Sequence, residues 1–185
     1  MTDAPATPVP DDKNWTWVLE RPCPECGFDG TKHPRERFGA DIRSTAGAYR
    51  RLLADPKATE RPSPQVWSAL EYGCHVRDVF EIFLRRLTLM ITEDEPTFAN
   101  WDQDETALVD RYWGQDPHAV THTLAVNAGR LADLFDKVRD DQWGRRGLRS
   151  DGSEFTIETF GTYLLHDPIH HLWDIQQGYD ALTPD

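Results

Sequence analysis

Two histidines, His166 and His170, stand four residues apart in the apolar stretch Tyr163-Leu-Leu-His-Asp-Pro-Ile-His-His-Leu-Trp173 near the C-terminus. On a helix that spacing stacks two imidazoles one turn apart on one face, so that a single element offers two ligands to one metal ion. Two ligands leave a site incomplete. In a helical bundle the third comes from a facing helix. Pro168 lies between the two histidines and cannot donate to the carbonyl of Leu164, so it predicts a kink. Alternatively, Asp167 caps a new helix that starts at Pro168, in which case His166 no longer stacks over His170 and His171 replaces one ligand.

Helical phase selects a third ligand from the seven histidines. A long helix is predicted over about residues 64–91, opened by Ser63 as N-cap before Pro64 at the first helical position. Its stripe Val76, Val79, Phe80, Phe83, Leu87 and Met90 is the strongest periodic signal in the chain. His75 falls in the sector of Val79 and Ile82, so it points to the bundle interior or its rim. The expected metal site is therefore His75, His166 and His170. His118 and His122 repeat the four-residue spacing, but opposite the stripe Val120, Leu124, Leu131, Leu134, Phe135 and Val138, and are expected to face solvent. On the residues alone, a hydrogen-bonded core histidine is the competing reading of each candidate.

The three cysteines pose a separate question. Cys23-Pro-Glu-Cys26-Gly27 has the spacing and loop character of half a zinc knuckle. A full structural site needs two more ligands, and there is no second cysteine pair. His33 is the nearest candidate in sequence, with Asp29 or Cys74 reachable only through tertiary approach. A redox pair and two metal-free thiols are the alternatives. Cys74 adjoins His75 but points about 100° away on a helix, towards Glu81 and Arg85.

The elements that must position these groups are helical. Residues 1–13 read as a Pro- and Asp-rich tail, and the prolines and glycines of 14–36 exclude a long helix. Helices are predicted over about 38–53, 64–91, 117–138 and 156–177, the third capped by Asp116-Pro117. A short one is expected near 105–112. Asp151-Gly152 fits a turn, and no convincing run of strands is present. The expected fold is all-α: a four-helix bundle over 37–185 with an irregular N-terminal extension over 1–36.

Composition narrows the function classes. With 185 residues, 38% apolar content and seven tryptophans, the chain is long and apolar enough for one domain with a real core. A net charge of -12 repels phosphate backbones and anionic lipid, so neither nucleic acid nor membrane is an expected partner. No segment approaches the ~20 apolar residues of a membrane span, and no signal region is apparent. An odd cysteine count gives no disulfide framework, so a cytoplasmic location is expected.

Trp67-Ser-Ala-Leu-Glu-Tyr-Gly-Cys-His75-Val-Arg-Asp-Val79 and His166-Asp-Pro-Ile-His170-His171 together resemble the DinB-like superfamily, four-helix bundles that include the N-terminal domain of mycothiol-dependent maleylpyruvate isomerase. The resemblance covers roughly residues 37–180. It implies a divalent metal, zinc or nickel, on His75, His166 and His170. It also implies a low-molecular-weight thiol of the mycothiol or bacillithiol type, used for S-transfer or isomerisation of an electrophile. Asp78 and Asp174 are then candidates to orient the imidazoles, and Tyr163 and Trp173 to wall a cleft. The alternative is a non-catalytic bundle that binds metal or a small molecule as a stress or partner module. A homodimer is the assembly left open.

Overall fold

The computed structural model describes residues 5, 6, 8 and 14–183. Apart from those first three, the tail predicted over 1–13 lies outside the described residues. Four long helices dominate: α1 (Phe38–Leu52), α2 (Ala69–Thr92), α4 (Pro117–Phe135) and α5 (Ile157–Leu182), with a short α3 (Gln103–Val109) between α2 and α4. The main contacts run α1 to α4, α4 to α2, α2 to α5 and α5 back to α1, which sets their order around the bundle. Among the described residues no helix is long and apolar enough to cross a membrane.

The start of α2 differs from its sequence expectation. Ser68, not Ser63, is the N-cap: its side chain accepts from Glu71 N–H, and the Glu71 carboxylate accepts from Ser68 N–H at 2.8 Å. This capping box satisfies two otherwise unpaired amides at once, which proline after serine cannot do. Ser63 instead forms an isolated bridge with Val66. α5 begins where expected, behind Thr156, and runs unbroken through Pro168 to Leu182. A helix restart at Pro168 is thereby excluded. The Tyr49 hydroxyl, from α1, donates to the Pro168 carbonyl at 2.9 Å.

The core joins Phe38, Ile42 and Tyr49 to Val79, Phe80 and Leu87 of α2, Leu124, Leu131 and Phe135 of α4, and Phe160, Leu164 and Leu165 of α5. Gly161 of α5 lets the Phe38 ring of α1 pack directly against its backbone. A Cβ there would lie 2.5 Å from the Phe38 ring, which is itself 1% exposed and has no room to yield. Replacing a helical glycine by alanine gains about 1 kcal/mol of propensity, but overpacking a tight core costs about 1–3 kcal/mol. Gly161→Ala should therefore destabilise the fold by up to about 2 kcal/mol in chemical denaturation. A stabilised variant would show that the helices can part there.

A small sheet was not expected. β1 (Thr97–Phe98) pairs parallel with β2 (Arg146–Arg149), which pairs antiparallel with β3 (Glu154–Thr156), matching Leu148 to Glu154 and Arg146 to Thr156. Strands of two to four residues are too short to show an alternating pattern, so periodicity could not detect them. The turn anticipated at Asp151-Gly152 joins β2 to β3, with Gly152 at φ 91°. The sheet delivers Arg149 to the mouth of the site described next.

Candidate metal centre

The segment His166-Asp-Pro-Ile-His-His171 contains two interleaved pairs at four-residue spacing, His166/His170 and Asp167/His171. Adjacent helical residues differ by about 100°, so the two pairs look in different directions from the same two turns of α5. With the helix continuous through Pro168, each pair is stacked, and each meets a different partner.

Asp167 and His171 turn towards α2. Together with His75 they place one donor atom each within 4.8 Å of one another. His75 Nε2 lies 3.3 Å from Asp167 Oδ2, and His171 Nε2 lies 4.0 Å from the same oxygen. The imidazole of His75 is fully buried and stacks on Trp101 with ring centroids 5.3 Å apart. Asp174 Oδ2 lies 2.7 Å from His171 Nδ1. A carboxylate only accepts, so Nδ1 carries the proton and the Nε2 lone pair is directed into the group. Asp167 Oδ1 and His75 Nδ1 are buried without a hydrogen-bond partner. Burial alone would raise the Asp167 carboxyl, but His75, which is hydrogen-bonded to it, together with His171 and His166 holds it at about 2. A carboxylate with an unused oxygen beside two imidazoles is a donor set that fits a divalent cation.

His166 and His170 turn the other way, against the N-terminal segment 14–36. They join Cys23 and Cys26 in a second group whose donor atoms also lie within 4.8 Å of one another. Cys23 Sγ is 3.6 Å from His170 Nδ1, while His166 Nε2 is buried with no partner. The Trp15 ring covers both imidazoles at centroid distances of 5.0 and 4.9 Å. The cysteine loop is closed by Gly27 N–H donating to the Cys23 carbonyl at 3.0 Å, with Gly27 at φ 75°. Burial pushes the Cys26 thiol up to about 11 and Cys23 adds to the rise, against the Phe28 backbone, which lowers it. Burial, then the positive charge of His170, presses His166 down to about 4.

Thus the histidines expected to share one ion are distributed between two groups, His75 in the first and His166 and His170 in the second. Asp167 and His171 complete the first group. The signal for them was present, since 167 and 171 have the same spacing as 166 and 170. Asp174 lies 2.7 Å from His171 Nδ1 and 3.8 Å from His170 Nε2. Asp78 is instead held by Arg77 at 2.8 and 2.9 Å and accepts from the Tyr112 hydroxyl. His33 pairs with Asp41 at 2.8 Å, and the Cys74 thiol donates to the Tyr112 carbonyl at 3.8 Å, so neither reaches the cysteine loop. Asp29 caps its own turn through Thr31. His118 and His122 are exposed.

Asp167 and His171, and from the second group His166 and His170, also border a cleft of about 450 Å³, whose other walls include Phe83, Arg86, Trp101 and Tyr163. Trp173 packs instead on His170, with centroids 5.6 Å apart. Arg86 is 8% exposed and donates to the Ala99 carbonyl at 2.8 Å. Burial and the nearby Arg149 charge press its guanidinium down to about 10. Among the described residues, no carboxylate lies within ion-pair distance of it. Arg149 is paired with Asp151 at 2.6 Å and donates to the Tyr163 hydroxyl at 3.2 Å.

No curated protein matches the chain. Among solved structures it is similar to YfiT from Bacillus subtilis, described as a probable metal-dependent hydrolase with an unusual four-helix bundle topology. The superposition has a TM-score of 0.73 at 18% identity and covers 82% of this chain and 89% of that one, a likeness of fold. The family model of the DinB superfamily matches residues 40–175, from within α1 to within α5, including the histidines on α2 and α5. The chain belongs to the DinB superfamily.

Proposed function

We propose that the chain is a metal-dependent enzyme that holds a divalent ion on His75, Asp167 and His171 and uses it to join a low-molecular-weight thiol to an electrophilic small molecule. One observation carries this reading: a three-donor group with unused acceptor capacity borders a cleft of a size suited to small molecules. The description of YfiT as a probable metal-dependent hydrolase supports the metal dependence. Three protein ligands leave a position open for a further ligand, and a divalent ion there favours a bound thiol as its thiolate at neutral pH.

The chain's own residues account for the remaining requirements. Asp174 fixes the tautomer and ring orientation of His171. Trp101 and Phe83 line the cleft with apolar surface and limit water. Arg86, buried and with no carboxylate of the described residues within ion-pair distance, offers the cleft a site for an anionic group on the electrophile. Addition of the thiolate to a carbon–carbon double bond would break its π bond, with the thiol's proton going to the neighbouring carbon, and give an S-conjugate. Loss of the same thiolate and proton after rotation about the new single bond would restore the double bond and give isomerisation.

The test is to compare metal-stripped and reconstituted untagged protein with mycothiol and a panel of unsaturated carboxylates. Conjugation or isomerisation should require the metal and fall by more than about 100-fold in His75→Ala, because outer contacts to a metal ligand alone are worth 10–100-fold. Metal binding without turnover would indicate a non-catalytic module. Cleavage of ester or amide substrates without thiol would assign hydrolysis.

A further inference from the structure

The metal-dependent reading of the cleft leaves the second donor group unused. We propose that Cys23, Cys26, His166 and His170 bind a structural zinc ion that ties the N-terminal segment to the outer face of α5. The donor chemistry and spacing both fit. Two thiols and two imidazoles form a closed tetrahedral set, with no position left for a substrate. Zinc bonds of about 2.3 Å to sulfur and about 2.0 Å to nitrogen, at a tetrahedral angle, place S and N about 3.5 Å apart. Cys23 Sγ and His170 Nδ1 stand 3.6 Å apart.

Two metal-free readings account for less. A weak hydrogen bond between Cys23 and His170 would explain that distance but leaves the buried His166 Nε2 with nothing to bind. A disulfide between Cys23 and Cys26 would consume both thiols and leave two buried imidazoles facing it. Zinc satisfies all four groups, with one proton released from each thiol on binding.

The placement explains why α5 tolerates histidines on that face. Phe160, Leu164 and Leu165 belong to the apolar core, and His166 and His170 lie on another sector of α5, buried and also bordering the cleft. The N-terminal segment closes over them through Trp15, Trp17 and Phe28. Apart from three short 3-10 turns it has no regular structure, and a metal clamp supplies a fixed anchor. The site also adjoins the cleft. His170 Nε2 lies 3.8 Å from Asp174 Oδ2, the same oxygen that holds His171. The zinc therefore supports the residue that orients a cleft ligand.

The experiment uses the full-length, untagged protein, stripped of metal under reducing conditions and titrated with cobalt(II) as a spectroscopic probe. A thiolate-to-cobalt charge-transfer band with intense tetrahedral d–d absorption is expected in the wild type and in His75→Ala. The charge-transfer band should be lost in the Cys23→Ser/Cys26→Ser double variant, where cobalt is left with the cleft alone. As purified, the wild type should carry zinc that a thiol-modifying mercurial releases, whereas His75→Ala should lose only the ion of the cleft. If the double variant fails to fold, the wild-type spectrum still decides. Cobalt binding without a charge-transfer band, or zinc retained by His75→Ala after both thiols are blocked, would overturn the proposal. Because His75→Ala and the cysteine variant report on different ions, failure here is distinguishable from failure of the reading of the cleft.

Discussion

Asp167→Ala should abolish high-affinity metal binding in the cleft, whereas His166→Ala should leave it within a few-fold of wild type. The contrast between neighbouring residues follows from helical phase. Position 167 looks towards His75 on α2, and position 166, about 100° round the helix, looks towards the cysteine loop. Asp167 is ionised across the neutral range and has a buried oxygen without a partner, so its loss removes both charge and a donor atom. His171→Ala should behave in the same way. Asp174→Asn, which weakens the hold on His171 Nδ1 without removing a ligand, should lower metal affinity by about 10–100-fold. Competition with a chromophoric chelator on untagged variants gives the comparison. If His166→Ala empties the cleft and Asp167→Ala does not, the ion belongs to His75, His166 and His170 and the donor groups seen here rearrange when it binds.

These residues also show where sequence reasoning reached its limit. The bundle was legible because α1, α2, α4 and α5 each carry a clear apolar stripe, and because Asp116-Pro117 and Thr156 mark two of the starts. The inward position of His75 followed from the same stripe. The ambiguity lay in His-Asp-Pro-Ile-His-His, where two pairs share one spacing and nothing local says which faces α2. Only the tertiary packing of α5 decides that. The cysteine loop was recognisable as half a site, but its other half lies more than a hundred residues away on the outer face of a helix, and no periodic signal links them. A count of donors offered a clue: Cys23-x-x-Cys26 lacked two ligands, and α5 had four candidate donors where one site needed two. The start of α2 was misread for a different reason. Ser63-Pro64 and Ser68-x-x-Glu71 are both start signals, and the reciprocal pair of hydrogen bonds in the second is the stronger.

Glu71, the residue that settles that start, carries the largest stability effect expected of a single substitution outside the donor groups. Its carboxylate is 1% exposed. It accepts from Arg61 Nε at 2.9 Å, with a second contact from the same guanidinium, and from Ser68 N–H and Oγ–H at 2.8 and 2.9 Å. Glu71→Ala would leave the Arg61 guanidinium, 12% exposed, without its counter-charge and would open the first turn of α2. Breaking a buried pair from one side costs about 3–5 kcal/mol, of which loss of the cap accounts for about 1 kcal/mol. Against a typical total of about 5–15 kcal/mol, that is a large share of the fold's stability, and it should lower Tm by about 6–20 °C. Removing the stranded charge as well, in Arg61→Met/Glu71→Ala, should recover much of the loss, because an absent pair costs less than a half-buried one. Since His75 lies one turn beyond Glu71 on α2, the single variant should also bind the cleft metal more weakly, and the double variant should regain part of that affinity. Thermal melts of the metal-free proteins isolate the first effect and chelator competition reads the second. A Glu71→Ala variant within about 1 kcal/mol of wild type would show that solvent reaches Arg61 and that the pair is not buried in solution.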